Sequence, residues 1–301
     1  MDELLRDFNA GKPRALARAI SYCESGSGAP LIAALYARAG NATTVGLTGP
    51  PGVGKSTLSA GLVRKARALG KRVGVVSVDP SSPFSHGALL GDRIRLSEHF
   101  TDPDVFIRSM ASRGHHGGLA GASADAVTLM DAFGFDLVIV ETVGAGQNEI
   151  EIAELAQTTI VALQPGSGDS VQVLKAGIME IADVFVVNKS DHPMAQQLYR
   201  EVRSMMQLVE YAGWVPELVM TQAVTGEGVD DLWSAIERHA AYLNESGEIR
   251  RRRREAFAHQ VRQIAAGRIG GLLDRAIAAD SGDGDPYAAA ARALRSLGVK
   301  E

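Results

Sequence analysis

A run of eight residues has the spacing G-x-x-x-x-G-K-[ST]: Gly49, Pro50, Pro51, Gly52, Val53, Gly54, Lys55 and Ser56. Glycines in such a loop let backbone N–H groups wrap a phosphate, the lysine reaches the terminal phosphates, and the serine hydroxyl can ligate Mg²⁺. The alternative is a chance glycine-rich turn. The context disfavours it, because an apolar run at 44–47 precedes the loop and a helical pattern that starts at Thr57 follows it. The sequence therefore predicts a nucleoside triphosphate site from Gly49 to Thr57.

A second motif predicts which base is bound. Asn188, Lys189, Ser190 and Asp191 follow an apolar run at 184–187, which is where a base-reading loop belongs in a parallel sheet. The Asp191 carboxylate can accept from guanine N1–H and from the exocyclic amine, whereas adenine offers neither arrangement. An unmatched buried polar group costs about 1–3 kcal/mol, so the nucleotide is expected to be GTP or GDP. N-K-x-D alone is a common surface turn, and its specificity comes from its combination with the phosphate loop.

Two weaker signals accompany these motifs. The segment Thr221, Gln222 and Ala223 resembles the last base-contacting loop of G proteins, in which a backbone N–H meets guanine O6. Glu141 ends an apolar run at 137–140, like the acidic residue that closes a Walker B strand, and the N–H of Gly144 is placed to contact the γ-phosphate. The alternative for Glu141 is a buried structural glutamate.

Oxygen ligands point to a metal ion beside the phosphates. Asp79 closes the apolar run at 73–78, and Asp92 follows within a Gly-Asp-Arg segment. Together with Ser56 and Glu141 they predict a Mg²⁺ site, in which one or two of the carboxylates act through water. His86, His115 and His116 are expected to be solvated loop residues and not ligands of a transition metal. The adjacent pair at 115 and 116 has a poor geometry for chelation, and the chain has one cysteine.

Composition narrows the class of protein. The chain has 301 residues, 46% of them hydrophobic, and a net charge of −4 from 31 basic and 35 acidic residues. This balance shows no overall bias toward nucleic acid or an anionic membrane, so neither is an expected partner. The single cysteine, Cys23, excludes an intrachain disulfide framework. With no apolar run of about twenty residues and no secretory start, these features predict a cytoplasmic protein.

The apolar runs also predict the fold. They are continuous rather than alternating, which is typical of strands buried on both faces: 44–47, 73–78, 105–107, 137–140, 159–163, 184–187 and 218–220. We therefore expect an α/β fold with a mostly parallel central sheet flanked by helices, and ligands at the carboxyl ends of the strands. The predicted division is an N-terminal helical segment at 1–42, a nucleotide-binding domain at 43–245 and a C-terminal helical extension at 246–301.

The C-terminal extension opens with five arginines at 250–254, which favour a solvated helix face. An apolar stripe follows at helical spacing: Phe257, Val261, Ile264 and Leu272. Such a stripe must be covered. It predicts either packing on the sheet domain or pairing with a second copy of the chain.

Four further blocks carry a family resemblance: 78–83 (VDPSSP), 91–95 (GDRIR), 112–118 (SRGHHGG) and 141–147 (ETVGAGQ). In this order between the phosphate loop and N-K-x-D, they resemble the MeaB/ArgK-type GTPases, which are methylmalonic aciduria type A-like members of the G3E P-loop class. The resemblance covers about residues 4–275. The chain departs from the family pattern at His116 and Asn148.

The resemblance implies a GTPase that acts as a chaperone of an adenosylcobalamin-dependent acyl-CoA mutase, chiefly methylmalonyl-CoA mutase. Members gate cofactor loading and protect or reactivate the mutase, and a homodimer is implied. Switch segments would fall at 79–95, 141–153 and 164–175. Gln172 and Lys175 lie where the family couples partner binding to hydrolysis, so they join Lys55 and Glu141 as catalytic candidates.

Three questions stay open at this point. The group that orients water, and any arginine finger, have as candidates Gln147, Arg108 and Arg113. A metal-insertion GTPase of the nickel type shares the fold but needs thiolate or histidine ligands, and a kinase or transport-energising ATPase is a label sometimes attached to this family. Hydrolysis without a partner is expected to be slow, on the order of 10⁻⁴ to 10⁻² s⁻¹.

Overall fold

The computed structural model describes residues 1–79, 97–111, 118–142, 148–166, 178–280 and 285–299. In these residues the strands form one sheet in the order β3-β2-β4-β1-β5-β6-β7, with every pairing parallel. They are β1 Thr43–Thr48, β2 Val73–Asp79, β3 Val105–Ala111, β4 Leu137–Thr142, β5 Thr158–Leu163, β6 Val184–Asn188 and β7 Glu217–Thr221. The predicted mostly parallel sheet is confirmed, and each predicted apolar run lies in one strand.

Helices cover the sheet on both faces. In chain order they are α1 Asp2–Asn9, α2 Pro13–Glu24, α3 Ala29–Leu35, α4 Lys55–Ala68, α5 Gly118–Phe133, α6 Asn148–Leu155, α7 Ala195–Met206, α8 Val229–Glu245, α9 Glu248–Ala278 and α10 Pro286–Ser296. Helices α1 to α3, α5 and α6 share one hydrophobic core, whereas α4 and α8 pack in a second core on the other face. A third core joins α7 to β5 and β6. All residues of β4, β5 and β6 are consequently buried, which explains their continuous apolar sequences.

The N-terminal helical segment is confirmed and is tied to the sheet domain through α5. The Asp131 carboxylate accepts from the backbone N–H groups of Gly40, Asn41 and Ala42, at 2.6, 3.1 and 3.0 Å. These three bonds fix the chain where it turns into β1. Within the same core, Phe8 of α1 packs edge-to-face on Phe133, with 5.0 Å between ring centroids.

The C-terminal extension is also helical, but one of its arginines differs from the prediction. Arg252 turns inward and donates to both carboxylate oxygens of Asp183, at 2.7 and 2.9 Å, and to the carbonyl of Gln157. A solvated face therefore describes its neighbours in the run and not Arg252. Arg252 differs from the other arginines because its side chain reaches Asp183, the residue that directly precedes β6.

The apolar stripe of α9 is left about half exposed in the single chain, and only its Phe257 ring has a ring contact among the described residues, with Tyr36 at 6.2 Å between centroids. Its four predicted residues are between 44% and 52% exposed: Phe257, Val261, Ile264 and Leu272. Ile269 and Ile277 of the same helix are exposed as well. Of the two predicted ways to bury the stripe, packing on the sheet domain is thus not the one seen in the single chain, which leaves pairing with a second copy.

Across the described ranges, no helix is both long enough and apolar enough to cross a membrane.

Candidate functional site

The phosphate loop joins β1, at the centre of the sheet, to the first turn of α4. Gly49 has φ +139°, and a Cβ built on it would lie 2.1 Å from the carbonyl oxygen of Ala162 in β5. Gly54 has φ +98°, and its Cβ would lie 2.5 Å from the amide nitrogen of Asn188. Both positions therefore require glycine, for backbone conformation and for space. The loop is held close to β5 and β6 by these contacts.

Lys55 folds back over this loop. Its ammonium donates to the carbonyl oxygens of Gly49 and Pro50, at 2.6 and 3.1 Å, and its side chain is buried. Ser56 follows it in the first turn of α4 and is also buried. The N-terminus of a helix carries partial positive charge and N–H groups without intrahelical partners. A lysine and a helix N-terminus beside one loop form an environment that attracts phosphate.

Asn188 brings three separate motifs together. Its amide nitrogen donates to the carbonyl of Val53 in the phosphate loop, at 2.7 Å. Its amide oxygen accepts from the Thr221 hydroxyl at 3.0 Å and from the N–H of Ala223 at 3.1 Å. Residues more than 130 positions apart in sequence are thus joined by one buried side chain. The motifs singled out from the sequence lie in one place at the carboxyl end of the sheet.

Lys189 and Asp191 project from the same loop. Lys189 is exposed, and its ammonium donates to the carbonyl of Gly52 at 3.0 Å. Asp191 is exposed too, and its loop is fixed by a backbone bond from Ser190 N–H to the Thr221 carbonyl. An accessible carboxylate beside a phosphate loop can meet the donor edge of a purine.

The loop after β7 is held by hydrogen bonds within the protein. The N–H of Ala223 is donated to Asn188, and the N–H of Gln222 is donated to the Glu227 carbonyl at 2.9 Å. Both N–H groups are engaged within the protein in this structure, and the contact of this loop with guanine O6 stays a prediction. Thr221 and Ala223 support the Asn188 side chain through these hydrogen bonds.

Glu141 lies at the end of β4 and is almost wholly buried, at 1% exposure. Its two carboxylate oxygens accept from the Ser59 and Ser77 hydroxyls, at 2.6 and 2.8 Å. Ser77 is directly opposite it on β2, and Ser59 is one turn beyond Ser56 on α4. The carboxylate therefore lies against the same face of α4 that carries Ser56. Both oxygens of the carboxyl group are therefore hydrogen-bonded within the protein.

Several predicted site residues lie outside the described residues: Asp92, Gly144, Gln172 and Lys175, together with the side chain of Asp79, the histidines His86, His115 and His116, and the candidates Gln147 and Arg113. Where side chains are described, no group of three or more His, Cys, Asp or Glu residues could hold a metal ion.

Arg108 is placed away from the phosphate loop. Its guanidinium donates to the Ser21 hydroxyl at 3.0 Å and pairs with the Glu24 carboxylate, both on α2. Helix α2 covers the face of the sheet opposite to α4. This position contradicts the hypothesis that Arg108 is the arginine finger.

Sequence reasoning did not single out Ser59, Ser77 or the side chain of Gln164. Gln164 directly follows β5 and accepts a hydrogen bond from Lys189. A usable signal existed for two of them. Ser59 lies three residues beyond Ser56 on a predicted helix, and Gln164 sits at the carboxyl end of a predicted strand, where ligands bind in such sheets.

Comparison with known proteins agrees with this geometry. A family model described as methylmalonyl-CoA mutase-associated GTPase MeaB matches residues 16–280. A "Putative GTPase" of Pyrococcus horikoshii is 44% identical, over 99% of this chain and 98% of its own length. The methylmalonic aciduria type A homolog of Mus musculus, a mitochondrial protein, is 35% identical over 69% of this chain and 52% of its own length.

Among solved structures, the crystal structure of a LAO/AO transport system kinase superposes with a TM-score of 0.73 at 25% sequence identity. It covers 99% of this chain and 97% of its own. The fold is thus that of a P-loop NTPase with helical additions at both ends of the chain.

Proposed function

The chain belongs to the MeaB family of methylmalonyl-CoA mutase-associated GTPases and hydrolyses GTP, and from this we propose that it is a chaperone of an adenosylcobalamin-dependent acyl-CoA mutase. In this role it gates cofactor loading and protects or reactivates the mutase, with methylmalonyl-CoA mutase as the proposed partner. The chaperone part of the proposal is supported by the family match over residues 16–280. Its nucleotide-binding part is supported by the junction at Asn188, which joins the phosphate loop to the loops after β6 and β7.

In the proposed site the phosphates occupy the loop from Gly49 to Ser56, with Thr57 following in α4. Lys55 and the N–H groups of the loop stabilise the charge on the transferring phosphoryl group, since this chemistry depends on positioning and electrostatics rather than on a protein nucleophile. Asp191 reads the base, and Lys189 lies between base and phosphate loop. The proposed contact of Gly144 with the γ-phosphate belongs to the same site.

The residues fit a magnesium ion in chemical type. Mg²⁺ takes oxygen ligands, and the Ser56 hydroxyl and the Glu141 carboxylate lie on adjacent elements beside the phosphate loop. Asp79 and Asp92 complete the proposed set. Bound there, the ion would neutralise charge on the phosphate oxygens. The protein's own contribution is the pair of serine hydroxyls that hold the Glu141 carboxyl group in place at the end of β4.

Partner coupling is proposed for Gln172 and Lys175, as the family resemblance implies. With Lys55 and Glu141 they make the proposed catalytic set. Residues 43–245 are proposed as the GTPase domain and 1–42 as its helical support.

The third proposed region, 246–301, is a dimerisation extension. Its helix α9 is 31 residues long, has no buried residue in the single chain, and carries the exposed apolar stripe. Because an exposed stripe of this kind on a long helix is unfavourable in water, we propose that a second copy covers it. Light scattering of purified protein is expected to give the mass of a dimer. A double variant, V261E with I264E, is expected to give a monomer that still binds GDP.

The base preference tests the nucleotide site most directly. Wild-type protein is expected to bind GDP and not ADP. In D191N the amide keeps one acceptor but adds a donor that meets the guanine amine, so GTP affinity is expected to fall about 10- to 100-fold. Xanthine carries a carbonyl in place of that amine, and D191N is therefore expected to gain XTP binding. If D191N bound GTP as tightly as wild type, Asp191 would not be the base-reading residue.

Partner binding tests the chaperone role. Purified mutase and this protein would be mixed with GDP or with a non-hydrolysable GTP analogue and separated by size. A complex whose stability differs between the two nucleotides is expected. Absence of a complex with either nucleotide, for both methylmalonyl-CoA and isobutyryl-CoA mutases, would sink the proposal.

A second candidate function follows from the solved structure of a transport system kinase, which resembles this chain over nearly its whole length. A kinase or transport-energising ATPase would transfer phosphate to a protein or drive transport with ATP. The rates of ATP and GTP hydrolysis would be compared in wild type and D191A. If D191A left the nucleotide preference unchanged, this second function would be favoured over the first.

A further inference from the structure

Lys189 bridges two parts of the candidate site. It is the one non-glycine residue of the described chain with positive φ, at 58°, a conformation that L residues seldom adopt. Its ammonium donates to the Gly52 carbonyl at 3.0 Å and to the side-chain oxygen of Gln164. The strained backbone thus delivers the ammonium to a point between the phosphate loop and the end of β5.

Gln164 lies close to both Gly52 and Lys189. Its amide nitrogen is 3.9 Å from where a Cβ would stand on Gly52. Two residues further on, a Cβ on Gly166 would lie 3.7 Å from the His192 ring. Pro165, between them, is buried. Residues 164–166 therefore pack along the loop that carries Lys189 and Asp191, so the Gln164 hydrogen bond is part of a continuous contact.

The acceptor oxygen of Gln164 determines where the lysine points. An ammonium has three donors, and the contacts within the described part of the chain use two of them. A lysine on a flexible stem loses much rotamer freedom when it is fixed, so acceptors that hold it beforehand reduce the cost of binding. With Gly52 and Gln164 as acceptors, the Lys189 ammonium is held in one place and keeps one donor for a ligand within the described contacts.

We infer that Gln164 is a positioning residue for guanine nucleotide binding, acting through Lys189 on the base and sugar. The inference rests on the proposed nucleotide site. Base and sugar are common to GDP and GTP, so both nucleotides should be affected by the same factor. The phosphate chemistry is untouched by this contact, so the effect falls on affinity and KM, with kcat unchanged.

The test compares variants that keep or remove the acceptor. Q164L has similar size without an acceptor, and it is expected to weaken GDP and GTP binding equally, about fivefold, with faster release of fluorescent GDP. Q164E retains an acceptor oxygen and is expected to bind within about twofold of wild type. Kd and release rates would be measured with kcat at saturating GTP. Q207L, at an exposed glutamine after α7, is the matched control and should bind as wild type does.

A double-mutant cycle separates positioning from a general structural role. If Gln164 acts through the ammonium, Q164L adds no further loss in a K189A background. Equal losses in both backgrounds would overturn the inference, as would GDP affinity within twofold of wild type for Q164L. Q164N, one methylene shorter, serves in place of Q164L if that variant does not fold. Failure of wild type to prefer guanine would instead reject the proposed nucleotide site itself.

Discussion

The two ends of the central sheet hold their charged side chains in different ways. At the amino end, the Asp183 carboxylate is buried among partners: Arg252 donates two bonds, the N–H of Thr159 donates one at 2.8 Å, and His239 Nε2 lies 3.2 Å away. At the carboxyl end, Lys55 and Lys189 donate to backbone carbonyls of the phosphate loop. At the amino end, a buried carboxylate is paired with a cation. At the carboxyl end, two lysine ammonium groups donate to uncharged backbone carbonyl oxygens beside an accessible loop.

The difference separates structure from function. Burial opposes ionisation of Asp183, but the close approach of His239 and the hydrogen bonds from Arg252 outweigh it and hold the pKa of this carboxyl below its ordinary value. Carbonyl contacts, in contrast, leave lysines able to turn toward a more strongly binding phosphate oxygen. The amino end fixes the fold, and the carboxyl end is suited to exchanging partners.

Three residues at the amino end resemble a catalytic hydroxyl–histidine–carboxylate triad, but they too have a structural role. The Thr158 hydroxyl lies 2.9 Å from His239 Nδ1, and His239 reaches Asp183. All three are sealed, with exposures of 0%, 0% and 4%. Because no substrate can reach the Thr158 hydroxyl, this relay is structural.

Breaking the amino end should have the largest effect on stability. R252M removes the guanidinium and leaves the Asp183 carboxylate buried without its principal cation, which is expected to lower the unfolding free energy by about 3–5 kcal/mol. Urea denaturation of the nucleotide-free protein would measure it. R251A is the matched control, since Arg251 is itself exposed and pairs, among the described residues, with the half-buried Glu248 and the exposed Glu255, so about 0.5 kcal/mol or less is expected. Equal losses for the two variants would show that the amino-end network does not carry the stability.

A substitution at the carboxyl end of the sheet should reduce activity strongly and stability little. K55A removes the cation that faces the phosphates in the proposed site, and it is expected to reduce GTP hydrolysis by about 10²–10³, equivalent to about 3–4 kcal/mol in the barrier. The fold should remain, so the urea midpoint should move little compared with R252M. Single-turnover hydrolysis at saturating GTP, together with circular dichroism, would measure both. Full activity in K55A would contradict the assignment of the phosphate loop.

Much of this contrast lies beyond sequence patterns. The strands and the phosphate loop were predictable because continuous apolar runs and glycine spacing are local signals. The pairing of Arg252 with Asp183 was not, because five adjacent arginines look alike and the partner is 69 residues away. The contact between Lys189 and Gln164 likewise depends on how β5 and β6 align. Local sequence patterns predicted the loops of the candidate site, whereas tertiary packing determines which side chains support those loops.

Glu141 lies between the two kinds of environment, and E141Q sharpens the comparison. The amide can still accept from Ser59 or Ser77, and the other hydroxyl can rotate to accept, so a loss of only about 1 kcal/mol in stability is expected. If Glu141 belongs to the proposed magnesium site, the Mg²⁺ concentration for half-maximal hydrolysis rises at least about tenfold. Hydrolysis would be titrated with Mg²⁺ in both proteins. An unchanged Mg²⁺ dependence would leave Glu141 as the structural glutamate.

Asp125 offers the most specific test, because it is half-buried in a third environment, away from both ends of the sheet. Its carboxyl accepts from Gln260 of α9 at 3.1 Å and lies beside the Cys23 thiol. Burial raises the pKa of Asp125 to about 6, although the bonds from Cys23 and Gln260 oppose the shift. The folded state therefore holds the proton more tightly than the unfolded state. This contribution to stability is greatest below about pH 4, declines as pH rises to about 6, and is constant above it.

D125N mimics the protonated carboxyl at every pH. It is expected to be more stable than wild type by about 1–2 kcal/mol near pH 7.5, and the advantage should vanish toward pH 4. Because other carboxylates titrate in the same range, the difference between the two proteins, measured by urea denaturation at several pH values, is the informative quantity. Neither amino-end ion pairs nor carboxyl-end carbonyl contacts produce a falling stability in this window. A difference that stayed constant from pH 4 to pH 7.5 would show that Asp125 is ionised in the folded protein throughout, held by its contacts with α2 and α9.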